Sequence, residues 1–345
     1  MPWNPRRPGR VALQVTYTLS VLDLAPVSSD TTPRSALLAS TDLAQAAERL
    51  GYHRYWVAEH HGMPGIASSS PAVLIAHLAA ATQTLRLGSG GVMLPNHAPL
   101  VVAEQFGTLE ALHPGRIDLG IGRAPGTDRL TAHALRRPLD VDDFPSDLAE
   151  LRAFLGDGEF PADHPYRTVR AVPSGAGHPA VWLLGSSGYS ARLAGELGLP
   201  FAFAHHFSSQ YTIPAMELYR ESFKPSQVLA EPYAMVTAAV ICADTPEEAA
   251  RLAAPAGLSV LRLRSGRPGL LPTPDEALAY PYTDADRAAI EAFTASYVVG
   301  DPATVRDGLV ALQAATQADE IMLATTVGDA KARIHSYELV AAALG

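Results

Sequence analysis

Short runs of apolar residues alternate along this chain with longer segments in which apolar residues recur every three or four positions. The short runs predict β-strands, and several are apolar almost throughout, which is typical of strands that are covered on both faces. Eight strands are predicted, and they are Leu19–Leu24, Arg54–Ala58, Leu85–Leu87 with Val92–Leu94, Ile117–Ile121, Ala180–Leu184, Phe201–Ala204, Ala234–Ile241 and Glu320–Ala324.

The longer segments predict helices, and five of the eight begin at a proline, which favours the first helical turn. They are Ser35–Leu50, Pro71–Ala81, Pro99–Leu112, Pro145–Leu155, Tyr189–Leu197, Pro246–Leu261, Pro302–Ala315 and Asp329–Leu344. Alternation of this kind predicts an α/β fold, the (β/α)8 TIM-type barrel with loop insertions. A doubly wound open sheet is the competing fold, but the length of the chain favours the barrel.

Two stretches interrupt the alternation. Gly156–Gly177 is predicted to be a loop-rich insertion, and Arg264–Asp284, rich in proline and glycine, is too long for an ordinary connection and is predicted to be a lid. No shift in composition marks a domain boundary. Residues 19–345 are therefore predicted to form one barrel domain, preceded by an N-terminal extension, residues 1–18, that is predicted to be poorly ordered.

Composition narrows the classes of partner. With a net charge of −9 and no basic block, the chain is not expected to bind nucleic acid or an anionic membrane surface. No apolar stretch approaches the roughly 18 to 20 residues of a membrane span, and no apolar segment follows the N-terminus as in a signal peptide. The single cysteine, Cys242, allows no disulfide framework. We therefore expect a soluble, cytoplasmic protein.

Glu59, His60 and His61 directly follow the second predicted strand. The C-terminal ends of barrel strands carry the active site, so at least one of the two histidines is predicted to act in catalysis or to contact a ligand. The alternative is a histidine that only caps or anchors the loop. No metal site is predicted, because neighbouring strand residues point to opposite faces and do not converge on one ion.

Glycine-rich stretches follow two other strands. Gly88, Gly90 and Gly91 lie inside the third strand pattern and indicate either a simple kink or a planar ligand lying on bare backbone. Arg123 ends the fourth strand in a loop whose glycine spacing misses the dinucleotide fingerprint by one residue. A guanidinium at the mouth of a barrel is nevertheless well suited to bind a phosphate in a bidentate manner.

The stretch Ser186–Ser190 leads from the fifth strand into a helix, and its backbone N–H groups and hydroxyls are predicted to converge on an anion. Plain N-capping by Ser187 is the alternative. The stretch does not fit the G-x-S-x-G elbow of serine hydrolases. Because the fourth and fifth strands are neighbours in a barrel, a phosphate between Arg123 and this helix would be held from both sides.

Together these residues resemble the bacterial luciferase-like, flavin-dependent oxidoreductases, and most closely their single-chain alkanal-monooxygenase-like branch. The resemblance covers most of the chain from about Leu19 onward. It is carried by "RYWVAEHHGMPGIASSSP", "LRLGSGGVMLPNHAPLVVAEQFGTLEALHPGRIDLGIGRAPGTD", "WLLGSSGYSARLAGELGLPFAFAHHF" and "YVVGDPATVRDGLVALQAATQADEIMLAT".

The resemblance implies a barrel that binds FMN at its C-terminal mouth, with His60 as the active-site histidine near the reactive flavin edge. It implies a non-prolyl cis peptide bond between Gly90 and Gly91 beneath the isoalloxazine ring. The predicted cofactor-binding residues are Gly90, Gly91, Arg123, Ser186, Ser187, Gly188 and Tyr189, of which Arg123 and Ser187–Tyr189 match the phosphate-binding positions of the family.

The function that follows from the resemblance is an FMN-dependent monooxygenase. It would use reduced flavin and O2 on a small organic substrate such as an aldehyde, and a separate NAD(P)H flavin reductase would supply the reduced FMN. Three alternatives stay open: a deazaflavin (F420)-dependent dehydrogenase, a flavin carrier or storage protein without turnover, and a barrel enzyme that handles a phosphorylated metabolite. Where luciferases carry a reactive cysteine before the arginine, this chain has Gly122, so light emission is not implied.

The chain is also predicted to form a homodimer. The helices predicted at Pro71–Ala81 and Pro99–Leu112 are more apolar than outer barrel helices that face water need to be. Coverage of both helices by the insertions is the alternative.

Overall fold

The computed structural model describes residues 17–136, 143–175 and 177–344. Most of the predicted extension, residues 1–16, lies outside the described residues. The strands are β1 Thr18–Asp23, β2 Arg54–Val57, β3 Arg86–Met93, β4 Ile117–Gly122, β5 Ala180–Gly185, β6 Phe201–Phe203, β7 Ala234–Cys242, β8 Val298–Gly300 and β9 Glu320–Ala324.

Eight of these strands form a closed parallel barrel. Their order is β6-β5-β4-β3-β2-β1-β9-β7, and β6 closes the ring by pairing with β7. The short strand β8 lies outside the ring and pairs only with the end of β7. All eight barrel strands are parallel, so their C-terminal ends meet at one mouth, and the predicted (β/α)8 fold is confirmed.

The helices pack around the barrel, and several short ones occur within the connections. They are α1 Pro33–Leu50, α2 Pro71–Ala80, α3 Pro99–Leu112, α4 Arg129–Ala134, α5 Phe144–Leu155, α6 Gly188–Leu197, α7 His205–Ser208, α8 Thr212–Ser222, α9 Pro246–Arg264, α10 Pro274–Ala279, α11 Asp284–Thr294, α12 Pro302–Thr316 and α13 Ala330–Leu344.

All eight predicted strands and all eight predicted helices are present within a few residues of their predicted bounds. The third strand is continuous through its glycines, with a register shift between Gly90 and Val92 against β4. This irregularity agrees with the kink that strand glycines indicate. The strand β8 was not predicted, since three residues, two of them half-exposed, give too short a pattern.

The lower, N-terminal part of the barrel interior is held by a buried ion cluster. The Arg54 guanidinium donates to Asp118 at 2.6 Å and to Glu320 at 2.8 Å, and all three side chains are fully buried. Although burial opposes ionisation of Asp118, the neighbouring Arg54 and Arg86 lower its pKa to about 2. Loss of one partner would leave an uncompensated buried charge, so the intact cluster holds this end of the barrel together. Active sites of such barrels lie at the opposite, C-terminal end.

The two insertions differ in structure. In the described part of Gly156–Gly177 no helix or strand occurs, as predicted. Arg264–Asp284, whose Pro/Gly content predicts a lid with no packed element of its own, instead contains α10, whose start is fixed by a capping box between Thr273 and Glu276. Leu271 is buried and bonds through its backbone to Val27 and Ser29, in the loop after β1.

Candidate active site

The site is built on the loops that follow β2, β3, β4, β5 and β6 at the barrel mouth. Glu59 lies two residues beyond β2 and is fully buried. Its carboxylate accepts hydrogen bonds from His61 Nε2 and His97 Nε2, each at 2.9 Å, and from Asn96 Nδ2 at 3.1 Å and the Met93 N–H at 3.0 Å. The carboxylate therefore joins the loop after β2 to the loop after β3.

The charge state of this carboxylate follows from its contacts. Burial opposes the ionisation of Glu59, but the hydrogen bonds from His97, His61 and the Met93 N–H lower its pKa below the usual value. Because a carboxylate only accepts, each imidazole donates through Nε2–H. Glu59 is thus a buried anchor that sets the course of the loops, and His61 is its partner.

His60, between Glu59 and His61 in the chain, is half-buried. Its Nδ1 lies 3.3 Å from the carbonyl oxygen of Gly126, which only accepts, so Nδ1 carries the proton and Nε2 is the basic nitrogen. Burial lowers the pKa of His60 below its usual value. At neutral pH the ring is therefore neutral and held in one tautomer, with Nε2 able to accept a proton.

The loop after β4 packs directly on the loop after β2. The His61 N–H donates to Gly126 O at 3.1 Å, and the Thr127 hydroxyl donates to His61 O at 2.7 Å. Gly126 has φ +63°, and a Cβ there would stand 2.8 Å from the backbone oxygen of Glu59. A side chain at residue 126 would therefore separate the two loops that carry His60 and Arg123.

Arg123 follows β4 and lies against the start of α6. Its Cζ is 4.3 Å from the centroid of the Tyr189 ring, a cation–π distance. Ser187 is the N-cap residue of α6, yet its hydroxyl makes no side-chain capping bond. The capping alternative for the Ser187 hydroxyl is therefore not realised, and the guanidinium and the first turn of α6 lie together.

The loop after β6 supports this arrangement from the next strand. The Ser208 hydroxyl donates to Ser186 O at 2.8 Å, so the turn before α6 is held in place. Gly188, the first residue of α6, presents no side chain, and a Cβ there would meet Leu218 Cδ2 at 3.0 Å. Arg123, the Ser187 hydroxyl and a helix N-terminus are donors of the kind that bind a phosphate, so the residues present fit the phosphate of FMN.

Gly90 and Gly91 are joined by a cis peptide bond, as the resemblance implies. Both positions are tightly packed within the barrel. A Cβ on Gly90 would stand 2.8 Å from Leu22 Cδ1, and a Cβ on Gly91 would stand 2.8 Å from Gly120 O. The barrel itself therefore requires glycine at both positions.

His205 and His206, which follow β6, also lie at the mouth, and the sequence interpretation missed them. His206 Nδ1 lies 3.3 Å from Thr237 O, and burial lowers the pKa of His206 to about 4, with smaller contributions from His205 and His60. His206 and His60 thus both follow barrel strands at the same mouth. The signal was available, because His205-His206 follows a strand just as His60-His61 does.

The structure thus brings the predicted site residues to one end of the barrel in two groups. His60 bonds to the loop that bears Arg123, and Arg123 contacts Tyr189 beside Ser187 and Gly188. Gly90 and Gly91 lie in the barrel wall between these loops. Among the described residues, no group of three or more histidine, cysteine or acidic side chains is arranged to hold a metal ion. In the same part of the chain, no helix is long and apolar enough to cross a membrane.

Comparison with known proteins identifies relatives along almost the whole chain. A family model described as luciferase-like monooxygenase matches residues 18–319. The chain is 50% identical over 326 residues to a luciferase-like monooxygenase of Escherichia coli (strain K12), a match that covers 94% of this chain and 96% of that protein. It is 34% identical over 330 residues to N-acetyl-S-alkylcysteine monooxygenase of Bacillus subtilis (strain 168), covering 94% of this chain and 98% of that protein.

Solved structures agree with the barrel. Apo-MsnO8 has a TM-score of 0.87 at 42% identity, covering 95% of this chain and 97% of that one. The oxygenating constituent of 3,6-diketocamphane monooxygenase from Pseudomonas putida, in complex with FMN, has a TM-score of 0.69 at 19% identity, covering 95% of this chain and 97% of that one. An F420-dependent secondary alcohol dehydrogenase, in complex with an F420–acetone adduct, has a TM-score of 0.67 at 16% identity, covering 95% of this chain and 99% of that one. 

The last two identities are low, so those two structures show the fold alone. The family match and the relatives in Escherichia coli and Bacillus subtilis go further, because they extend over nearly the whole chain. The resemblance predicted from the sequence is confirmed. The chain belongs to the luciferase-like monooxygenase family.

Proposed function

We propose that this protein is an FMN-dependent monooxygenase that uses reduced flavin and O2 to oxidise a small organic substrate. The observation that carries the proposal is the pairing of Arg123 with the first turn of α6, where the Arg123 guanidinium lies 4.3 Å from the Tyr189 ring. A single phosphate between this guanidinium and the helix N-terminus would be bound by charge on one side and by N–H groups on the other.

FMN suits this site better than a cofactor with a longer acidic tail. Beyond Arg123, the nearest basic residues in sequence are Arg129 and Arg192, both exposed, and they are accompanied by Asp128 and Glu196. The Asp128 carboxylate caps α4 by accepting from the Leu130 and Thr131 N–H groups. This alternation of charges offers no continuous basic surface for an oligoglutamate chain.

His60 is the proposed proton-handling residue. Its bond to Gly126 O leaves Nε2 as the basic nitrogen, and burial lowers its pKa, so the neutral ring can accept a proton at the mouth. When bound, reduced FMN supplies the electrons for the reaction of O2 with the substrate, and the protein supplies binding, orientation and exclusion of water. His206, whose pKa burial lowers to about 4, follows β6 on the opposite side of the same mouth.

A separate flavin reductase is the proposed source of reduced FMN. Among the described residues, one glycine-rich turn has a spacing close to that of a dinucleotide-binding fingerprint, and it follows β4. Because its spacing does not match the fingerprint, the turn is not expected to bind NAD(P)H. The small organic substrate is proposed from the relative in Bacillus subtilis that is named as an N-acetyl-S-alkylcysteine monooxygenase.

The experiment is a titration of the purified protein with FMN and, separately, with the deazaflavin cofactor. We expect FMN to bind more tightly, and we expect Arg123→Ala to weaken FMN binding by about 1.5 to 3 kcal/mol, the usual contribution of a hydrogen bond to a charged group. Arg306→Ala is the matched control. Arg306 is an exposed arginine on α12, and its guanidinium pairs with the neighbouring Asp307. Tighter binding of the deazaflavin would favour a hydride-transfer dehydrogenase.

A measurement of turnover distinguishes an enzyme from a flavin carrier protein. Protein that holds reduced FMN is exposed to air with a candidate substrate, and the oxygenated product is measured against O2 consumed. A protein that binds FMN tightly, yet forms no product with any substrate tried and does not alter the oxidation of the flavin, would be a carrier.

A further inference from the structure

A cavity of about 140 Å³ lies among the loops at the C-terminal end of the barrel. Its floor is formed by residues just beyond the ends of β1 and β9, Leu24 and Thr326. One wall is the loop after β2, with Met63 and Ile66, and the other is the end of α9 together with Pro268–Leu271. The cavity therefore opens at the same end of the barrel as His60.

The strand order sets the cavity apart from the phosphate site. Arg123 and α6 follow β4 and β5, whereas the cavity lies over β9, β1 and the loop after β2. Between them stands β3, which carries Gly90 and Gly91. His60 belongs to the same loop as Met63 and bonds to the loop of Arg123. A ligand that reaches from the phosphate site across the mouth would thus have His60 beside it and the cavity beyond.

The lining of the cavity defines its chemistry. Leu24, Met63, Ile66, Leu263 and Leu270 give it a mainly apolar surface. Among the described residues that line it, none carries a carboxylate, and the one cation is Arg262, which donates to Leu270 O at 3.4 Å. A neutral apolar group would gain from burial here, whereas a cationic group would meet Arg262 without a countercharge.

The volume limits the size of that group. A cavity of about 150 Å³ engineered into the core of another protein accepts benzene. A cavity of about 140 Å³ here is therefore suited to a group of about six carbon atoms. The residues that line it include none of the proposed cofactor-binding residues, so the cavity is distinct from the proposed cofactor site.

We infer that this cavity binds the apolar part of the substrate, a neutral aliphatic or aromatic group of up to about six carbon atoms, and directs the remainder of the substrate towards His60. The identification of the bound group as part of a substrate rests on the proposed function. The binding of a small apolar group in the cavity is inferred from the lining residues alone.

The test uses flavin-free protein and straight-chain alcohols as probes, with binding followed by calorimetry and by ligand-observed NMR. We expect affinity to rise about fourfold with each added carbon from 1-propanol to 1-hexanol, the usual effect of burying a methylene group. Beyond about six carbons the rise should stop. Protonated 1-hexylamine should bind at least tenfold more weakly than 1-hexanol.

Two substitutions fill the cavity from opposite walls, Ile66→Trp and Leu270→Trp. Each is expected to weaken 1-hexanol binding tenfold or more. Leu278→Trp is the matched control, because Leu278 is an exposed leucine of α10 that does not line the cavity. The melting temperature and the FMN dissociation constant of every variant are measured, and a variant counts only when its FMN binding stays within about threefold of the parent.

The outcomes separate this inference from the proposed function. Failure of 1-hexanol to bind, a flat dependence on chain length, or equal binding by the filled and control variants overturns the cavity site, whatever FMN does. If the parent protein does not bind FMN, the proposed function is overturned, and the alcohol measurements then test the cavity site by themselves. Binding of both, with loss of 1-hexanol binding in the filled variants, supports the inference.

Discussion

Glu59 and His97 are 38 residues apart in the chain, yet the fully buried Glu59 carboxylate accepts a hydrogen bond of 2.9 Å from His97 Nε2. His61 donates to the same oxygen at 2.9 Å. Through this carboxylate, the loop that carries His60 is joined to the loop after β3. Glu59 is therefore a positioning residue, whereas His60, whose Nδ1 bonds to Gly126 O in the loop after β4, is the candidate catalytic residue.

The first prediction concerns the stability supplied by Glu59. Glu59→Gln keeps the shape but removes the charge, so we expect the free energy of unfolding at pH 7 to fall by about 1.5 to 3 kcal/mol. Since the pKa of Glu59 is lowered on folding, this contribution is present above the unfolded pKa of about 4.3 and is lost as pH falls through the folded pKa. Urea unfolding between pH 3 and 7 measures it.

The control for Glu59 is Glu291→Gln, at an exposed position on α11. The difference in unfolding free energy between the parent protein and Glu59→Gln should shrink below about pH 4, whereas Glu291→Gln should follow the parent throughout. If Glu59→Gln is as stable as the parent protein at pH 7, the contacts of His61 and His97 with residue 59 do not depend on its negative charge.

The second prediction concerns His60. Its ring makes one bond, of 3.3 Å, to Gly126 O, so His60→Ala should change the free energy of unfolding by no more than about 0.5 to 1 kcal/mol. FMN binding should persist. Product formation should fall by about 10²- to 10⁴-fold, the usual contribution of a general acid or base. Single-turnover oxidation of FMN-loaded protein measures the rate.

His133→Ala, at an exposed position on α4, is the matched control for His60→Ala and should keep full activity. A His60→Ala variant that unfolds, or one that turns over as fast as the parent, would rule out the proposed role.

The barrel could be predicted from the sequence because its strands are covered on both faces and read as short apolar runs. His60 and Arg123 were predicted because each directly follows such a run. The partners of Glu59 could not be predicted, since Asn96 and His97 meet it only when β2 and β3 pair. The helix α10 was missed because its Pro/Gly-rich flanks hide a short helix that is fixed by a capping box.

The third prediction is a homodimer formed through α2 and α3. Val73 on α2 is 72% exposed, and Val101 and Leu112 on α3 are 45% and 65% exposed. The insertion Gly156–Gly177 does not remove this exposure, so a second copy would bury apolar surface. Sedimentation equilibrium should give a dimer, and Val73→Glu should shift it towards monomer. Val310→Glu, at a 46% exposed valine on α12, is the control, and a parent monomer at all concentrations would contradict the prediction.

The fourth prediction is that Arg264–Asp284 acts as a mobile lid over the mouth. Leu271 and Glu276 tie its middle to the loop after β1 through bonds to Val27, Ser29 and the Ser29 hydroxyl. We therefore expect trypsin to cut first near Arg264, before the Leu271 anchor, and we expect bound FMN to slow that cut. Cleavage at equal rates with and without FMN would show that the segment does not respond to the site.

The last prediction is a loss of stability in acid that depends on His206. Its Nδ1 lies 3.3 Å from Thr237 O, His205 and His60 are its titratable neighbours, and burial lowers its pKa to about 4. Between pH 6.5 and 4 the unfolded chain takes up a proton at this position, but the folded protein does not. The free energy of unfolding should therefore fall as pH decreases through this range, by about 3 kcal/mol from His206 alone.

His206→Gln removes this titration while it keeps a donor for Thr237 O, so its stability should fall less than that of the parent between pH 6.5 and 4. Urea unfolding at several pH values across the range measures the difference. His53→Gln should give a similar reduction, because burial and the neighbouring Arg54 also lower the pKa of His53 to about 4. The exposed His133, replaced by glutamine, should leave the pH dependence unchanged. If His206→Gln and the parent lose stability in parallel, the ring is protonated in the folded protein as readily as in the unfolded chain, and it does not serve as a neutral base beside His60.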